Sequence, residues 1–274
     1  MKLSILPVSL FDPILGGEMT IGQWAKLAQE SGADGYDVST MFWKNHTATY
    51  IDAIRRDLDA CGVGIRPNMA CCYPDFTNPD RLERERQMEY LRRDIALASA
   101  FGFQYVRITA GMAHPGIEFD ATCRRVAEQF AVAAEVAARF GIRLVFENHS
   151  KPGAWPLVDF SFDPDAFLTI CRLMRSTGVG VNFDTANAVA CGRDPAAMLA
   201  EVMDQVQTVH LNDTASTEAF SPVLIGTGVV DFDGVFDVLN QNRFDDWVCI
   251  EECSNNGADG IREAIRFARK YIPA

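Results

Sequence analysis

Short β-branched runs alternate with longer amphipathic segments eight times along the chain, and no other feature of the sequence constrains the fold as strongly. The strand-like runs fall at residues 3–8, 35–39, 64–70, 105–110, 143–147, 180–184, 208–211 and 247–251. Each is followed by a segment with apolar residues three and four apart, at about 20–31, 48–61, 79–101, 118–140, 163–176, 195–205, 232–241 and 257–270. Asn78-Pro79, Asp163-Pro164 and Asp194-Pro195 set an N-cap before a first-turn proline, and Gly32, Gly62, Gly102, Gly141 and Gly178 follow helical patterns as C′ residues do. Eight units in 274 residues average about 34 residues each. That arithmetic predicts an α/β fold, a single (β/α)8 TIM barrel over residues 1–274. An open doubly wound sheet would want a Gly-rich turn after an early strand, and Leu6-Pro7-Val8-Ser9-Leu10 is not one.

Charge narrows the partners. With 25 Lys and Arg against 37 Asp and Glu, the net charge is −12, and no basic cluster stands apart from the acidic remainder. Such a chain repels a polyphosphate backbone, so nucleic acid is not an expected partner. No apolar run approaches the roughly 18 residues that cross a bilayer, and the N-terminus enters a strand-like segment without a cleavable signal pattern. The expectation is a cytoplasmic protein with no membrane partner. The eight cysteines are scattered through apolar contexts, and Cys71-Cys72 is not a CxxC pair, which suits reduced, packed thiols.

In a barrel of this kind the active site lies at the C-terminal ends of the strands. Four late strands close on polar groups there: Glu147-Asn148-His149 after Leu144-Val145-Phe146, Asp184 after Val181-Asn182-Phe183, His210 in Val209-His210-Leu211-Asn212-Asp213, and Glu251-Glu252 after Cys249-Ile250. Side chains alternate with a period of two, so Val145, Glu147 and His149 share the inward face, as do Asn182 and Asp184. On the last strand Val248, Ile250 and Glu252 suit the helix layer, which assigns Glu251 rather than Glu252 to the interior. Three carboxylates and an imidazole at one mouth repel one another unless each has a cationic side chain or a shared cation sits among them. The oxygen-rich set with one nitrogen favours Mn²⁺, Mg²⁺ or Co²⁺ and admits Zn²⁺, with Mn²⁺ taken first.

These residues resemble a known family, the sugar phosphate isomerase/epimerase superfamily with the xylose-isomerase-like barrel. The resemblance rests on Glu147-Asn148-His149, Asp184-Thr185-Ala186-Asn187, His210-Leu211-Asn212-Asp213, Ile225-Gly226-Thr227-Gly228-Val229-Val230-Asp231-Phe232 and Ile250-Glu251, in that order between residues 142 and 252. It implies Glu147, Asp184, His210 and Glu251 as metal ligands, with Glu147 and Glu251 also exchanging protons with the substrate. Two departures stand out. Ketohexose 3-epimerases carry His where this chain has Asn187, and Arg where it has Ser216, which points away from a ketohexose.

The chemistry implied is proton removal from carbon next to a carbonyl, through an enediolate, on a small sugar or polyol. A divalent metal on the carbonyl and adjacent hydroxyl oxygens would stabilise the developing charge, and a desolvated carboxylate would act as base. The same groups could expel a β-hydroxyl, so a dehydratase of an inosose-like polyol is the alternative within the enzyme class. A non-catalytic barrel subunit is a third reading. An AP-endonuclease-like phosphodiesterase ranks below these, since trinuclear zinc sites need many imidazoles and the chain has four His.

Substrate-binding candidates are His149, two residues beyond Glu147, together with Asn187, Arg107, His114 and Trp155. Arg107 lies one residue off the inward register assigned to Ile108, as either a pocket cation or a snorkelling strand residue. His114, in the loop after the fourth strand, divides between loop surface and pocket wall. Two long loops, 150–162 with Trp155 and 214–228 with Phe220, are expected to cover the site. Their aromatics would equally suit a contact between copies of the chain, leaving a homo-oligomer open.

Overall fold

β-branched and aromatic runs form strands that pair in parallel round the molecule except at one seam. The structure, a computed structural model, describes residues 1–151, 153 and 155–273. Its strands are β1 (Lys2–Leu6), β2 (Gly35–Ser39), β3 (Arg66–Cys71), β4 (Tyr105–Ile108), β5 (Arg143–Glu147), β6 (Gly180–Asp184), β7 (Val206–Leu211) and β8 (Trp247–Glu251). They lie in one sheet of order β1-β8-β7-β6-β5-β4-β3-β2. The eight-stranded sheet curls into a nearly closed TIM barrel, as the alternation predicts.

Around the sheet run α1 (Phe11–Gly16), α2 (Ile21–Glu30), α3 (Ala48–Ala60), α4 (Arg81–Phe101), α5 (Phe119–Arg139), α6 (Pro164–Met174), α7 (Thr185–Ala190), α8 (Pro195–Val202), α9 (Phe232–Gln241) and α10 (Gly257–Ala268). Asp163 and Asp194 cap α6 and α8, each with a proline in the first turn. Among the described residues no helix is long and apolar enough to cross a membrane.

The seam between β1 and β2 is joined differently from the other strand pairs. Asp34 N donates to Leu3 O at 2.8 Å and Asp34 Oδ2 accepts from Leu3 N at 2.8 Å. Deeper in, the buried Asp37 carboxylate accepts from Ser4 Oγ at 2.7 Å, Asn68 Nδ2 at 3.1 Å and Met69 N at 2.9 Å. Side-chain oxygens thus take over from a ladder where the barrel closes.

Two apolar layers follow from the period-two alternation. Leu3, Ile5, Val106, Ile108, Phe146, Val248 and Ile250 pack outward against the helices, whereas Leu6, Met69, Cys71, Tyr105, Val145, Trp247 and Cys249 fill the barrel itself. This corrects the register expected on β4. Ile108 faces the helices and Arg107 faces inward, fully buried, where its charge is met by Glu147 of the neighbouring β5.

Boundaries shift in physically readable ways. β1 ends at Leu6 rather than at Val8, because Pro7 has no N–H for the ladder and the chain turns into a short 3₁₀ segment, Val8–Leu10. β3 begins later and β4 ends earlier than the sequence pattern indicates. The helices α1 and α7, six residues each, are additions to the eight expected.

Candidate metal centre

Four strand ends in succession deliver one donor group each to a common point. Glu147 ends β5, Asp184 ends β6, His210 lies next to the end of β7 and Glu251 ends β8. One ligand-type atom from each lies within 4.8 Å of the others. Glu147, Asp184 and His210 are buried and Glu251 is half-buried. Parallel register sets the level: Asp184 stands opposite His210, Leu211 opposite Ile250, and Leu6 opposite Glu251.

Residues beside the quartet fix its orientation. Asp184 Oδ1 accepts from Asn187 N at 2.6 Å, so the carboxylate caps α7 with one oxygen and keeps Oδ2 free of any hydrogen bond. Asn148 ties β5 to β6, donating Nδ2 to Asp184 O and accepting from Asp184 N, both at 2.8 Å. Asn212 Nδ2 donates to Glu251 Oε2 at 3.0 Å, and its backbone is held by Thr185 Oγ1. Asn148, Thr185 and Asn212 are motif residues to which the sequence alone attached no role.

The charges divide unequally. His210 Nδ1 lies 2.8 Å from Glu147 Oε1, and Arg107 Nε lies 2.8 Å from Glu147 Oε2, off the line of its N–H. Burial pushes the Glu147 carboxyl up, but Arg107 and then His210 outweigh it and hold it down to about 2. Burial lowers His210, and Glu147 more than reverses that, raising it to about 9. Asp184 is held well above the usual carboxylate range by burial and then by Glu251 and Glu147. Glu251 is pushed up by burial, with Glu147 adding to it and His210 opposing.

A dication fits this donor set. Among the described residues, fully buried Asp184 Oδ2 and His210 Nε2 make no hydrogen bond, an expensive state for polar atoms unless a ligand takes them up. Two carboxyls strained upward by like charge supply the electrostatic reason. Three oxygens and one imidazole form a hard to borderline set suited to Mn²⁺, Mg²⁺, Co²⁺ or Zn²⁺.

Above the quartet opens a cavity of about 420 Å³ lined by Glu251, His149, Ser150, Asn187, Tyr73 and Phe220 among others. His149 and Asn187 are therefore brought to the site, each with a buried side-chain atom, Nδ1 and Oδ1, that has no hydrogen-bond partner among the described residues. Burial lowers His149 to about 3, so its imidazole is neutral. Arg107 sits below, packed 4.7 Å from the Tyr73 ring centroid. Glu252 points away, its Oε1 accepting from Ser254 N at 2.9 Å.

His114 is not brought here. Its Nε2 lies 2.9 Å from Asp75 Oδ2, and it lines a neighbouring groove with Asp159, Phe160 and Cys191. The aromatic that reaches the cavity is Phe220 of the second loop; Trp155 is half-buried on the first. Pro152 and Ala154 of that first loop lie outside the described residues. The second loop is organised by Asp213, whose carboxylate accepts from the backbone N–H of Thr214, Gly226, Gly228 and Val230 at 2.8–3.2 Å. A Cβ at Gly228 would collide with Asp213 Oδ1 and the Thr214 carbonyl, which accounts for the second glycine of the Ile225-Gly226-Thr227-Gly228 stretch.

Comparison with known proteins agrees with the barrel fold. The family model described as a xylose isomerase-like TIM barrel matches residues 25–271. SgbU of Escherichia coli (strain K12), whose name assigns it provisionally as an L-ribulose-5-phosphate 3-epimerase, is 28% identical over 224 residues, covering 78% of this chain and 74% of its own. An inosose dehydratase of Clostridium beijerinckii is 24% identical over 151 residues, which span 48% of this chain and about half, 47%, of the dehydratase. Among solved structures, the IOLI protein with a bound zinc atom superposes with a TM-score of 0.77 at 16% identity, over 99% of this chain and 98% of that one.

Proposed function

Because the chain belongs to the xylose isomerase-like TIM barrel family, we propose that it is a divalent-metal-dependent isomerase or epimerase of a sugar or polyol ketone. Glu147, Asp184, His210 and Glu251 are the ligands in this reading, and Mn²⁺ is the first candidate, with Mg²⁺, Co²⁺ and Zn²⁺ as alternatives. The zinc of the IOLI neighbour keeps Zn²⁺ in the set. The observation that carries the reading is the convergence of four donor atoms within 4.8 Å at the ends of consecutive strands.

A divalent metal bound there supplies Lewis-acid stabilisation of charge developing on the substrate's oxygens. The chain's own groups do the rest. Glu147, held ionised by Arg107 and His210, is fitted to take the proton next to the carbonyl. Glu251, at the end of β8, is the group that returns one in this reading. A pair of carboxyls at one substrate can serve as base and acid in turn. They stand on β5 and β8, so they reach a substrate from different sides, as inversion at carbon requires. Neutral His149 and the free Oδ1 of Asn187 offer hydrogen bonds to substrate hydroxyls.

The test is solvent deuterium exchange at the substrate's α-carbon. Glu147→Gln is expected to abolish exchange while metal content falls only in part; exchange at the parent rate removes Glu147 as the base. A second reading, dehydration of an inosose-like polyol, is favoured by the match to inosose dehydratases over half of the chain. Product analysis separates the two, since dehydration releases water and leaves an enol or diketone, whereas epimerisation conserves mass.

A further inference from the structure

The cavity over the quartet has both polar and apolar lining. Its polar lining includes Glu251, His149, Ser150 and Asn187. Residues 8–15 and Met41 contribute the apolar Val8, Phe11, Leu15 and Met41, and Phe220 of the loop after β7 lines the cavity too, whereas Tyr73 packs edge-on against His149, ring centroids 6.4 Å apart. Phe11 is fixed edge-on against Phe42, with centroids 5.0 Å apart, so this apolar lining is a built surface rather than loose side chains. Leu15 remains 42% exposed although it lines a concavity. A cavity of about 420 Å³ lies in the range of drug-sized ligand sites, roughly 300–1,000 Å³, and offers more than hydroxyl contacts. The apolar lining wants an apolar occupant continuous with whatever sits at the quartet.

Charge points the same way. Asp12 lies on α1 between Phe11 and Leu15 and lines the cavity with them. A dianionic phosphate placed beside them would meet a carboxylate, not a cation. Lys151, exposed on the loop after β5, stands with His149 and Ser150 instead.

We propose that the substrate is a keto-sugar or keto-polyol carrying an apolar substituent, such as a glycoside with an aryl aglycone, with the substituent seated against Phe11, Leu15 and Met41. The inference rests on the functional reading above and names its substrate class. α1 is then the specificity element of the enzyme.

The experiment measures kcat/KM for α-carbon deuterium exchange on the metal-loaded enzyme. Its probes are phenyl and methyl 3-keto-β-D-glucosides, the free keto-sugar and a ketopentose 5-phosphate. The phenyl glycoside is expected to exceed the methyl glycoside by at least about tenfold, the scale on which an apolar pocket discriminates. Leu15→Ser, a change at a solvent-exposed position, is expected to collapse that ratio towards one, with an unfolding midpoint and metal content matching the parent as the check on folding. Equal phenyl and methyl values, or a phosphate preferred over both, overturn the inference while leaving the functional reading intact. Absence of exchange with every probe, in protein that binds metal, overturns the functional reading and this inference with it.

Discussion

Arg107 shows what a single residue can hide from a sequence. A strand buried on both faces carries apolar side chains on both, so period-two alternation around Tyr105-Val106-Arg107-Ile108 does not reveal which face is inside. The answer depends on a partner forty residues away. Arg107 is fully buried because Glu147 stands 2.8 Å from its Nε, and the pair keeps Glu147 ionised. Removing one member of a buried pair is destabilising by about 3–5 kcal/mol. Arg107→Met is therefore expected to lower the stability of metal-free protein by about 3 kcal/mol in urea denaturation. The double variant Arg107→Met/Glu147→Gln should recover most of it, and additive losses would show that the two side chains do not interact. Asp159 makes a second residue-scale case. Burial outweighs its hydrogen bonds from Ser161 and raises it from 3.8 to about 8. Between those values the unfolded chain has lost this proton and the folded chain still holds it. The contribution is thus present in full below about pH 4 and is lost as pH rises through about 8, at up to about 1.4 kcal/mol per unit. Asp159→Asn keeps the oxygen that accepts from Ser161 and has no proton to lose. Relative to the variant, the parent should lose stability steadily between pH 5 and 7; parallel pH profiles would mean that Asp159 is ionised in the folded protein.

At the scale of elements, long helices and strands were legible and short ones were not. Periodicity needs several turns to register, and α1 and α7 have six residues each. The signal for α7 was nevertheless present, since Asp184 three residues before Asn187 is an N-cap pattern as well as a site motif. One carboxylate doing both tasks makes a separable prediction. Asp184→Asn retains a capping oxygen and removes a buried like charge, so metal-free stability should be unchanged or higher, while metal affinity drops at least tenfold by calorimetric titration. Asp184→Ala loses the cap too and is expected to destabilise by about 1 kcal/mol. The loop after β7 follows similar logic. Asp213 gathers four backbone N–H groups from residues that sequence spacing presents only as a glycine-rich stretch. Asp213→Ala should cost about 2–3 kcal/mol and expose the amides of Gly226, Gly228 and Val230 to hydrogen exchange. Retained protection at those amides would mean that the loop is held by its packing instead.

For the whole molecule, the barrel was readable because eight repeats of one pattern admit few topologies, and the quartet because strand ends of a barrel meet by construction. What the pattern omitted was the apolar lining of the cavity, since α1 enters from a connection with no repeat to announce it. The quartet also sets the energetics of the whole. Three carboxyls and an imidazole within 4.8 Å gather charge that burial and mutual repulsion disfavour, visible in the upward displacement of Asp184 and Glu251. A dication that bound the folded arrangement and not the unfolded chain would stabilise it by mass action, by about 2.7 kcal/mol at a hundredfold excess over its Kd. Chelation followed by return of Mn²⁺ is therefore expected to move the thermal midpoint down and then up by about 5 °C or more, at roughly 2–4 °C per kcal/mol for a chain of this order of size. The shift should vanish in Glu251→Gln/Asp184→Asn and persist in Leu15→Ser, whose side chain lines the cavity away from the donors. An equal shift in the double variant would place the cation elsewhere on this acidic surface and remove the four strand ends from the chemistry.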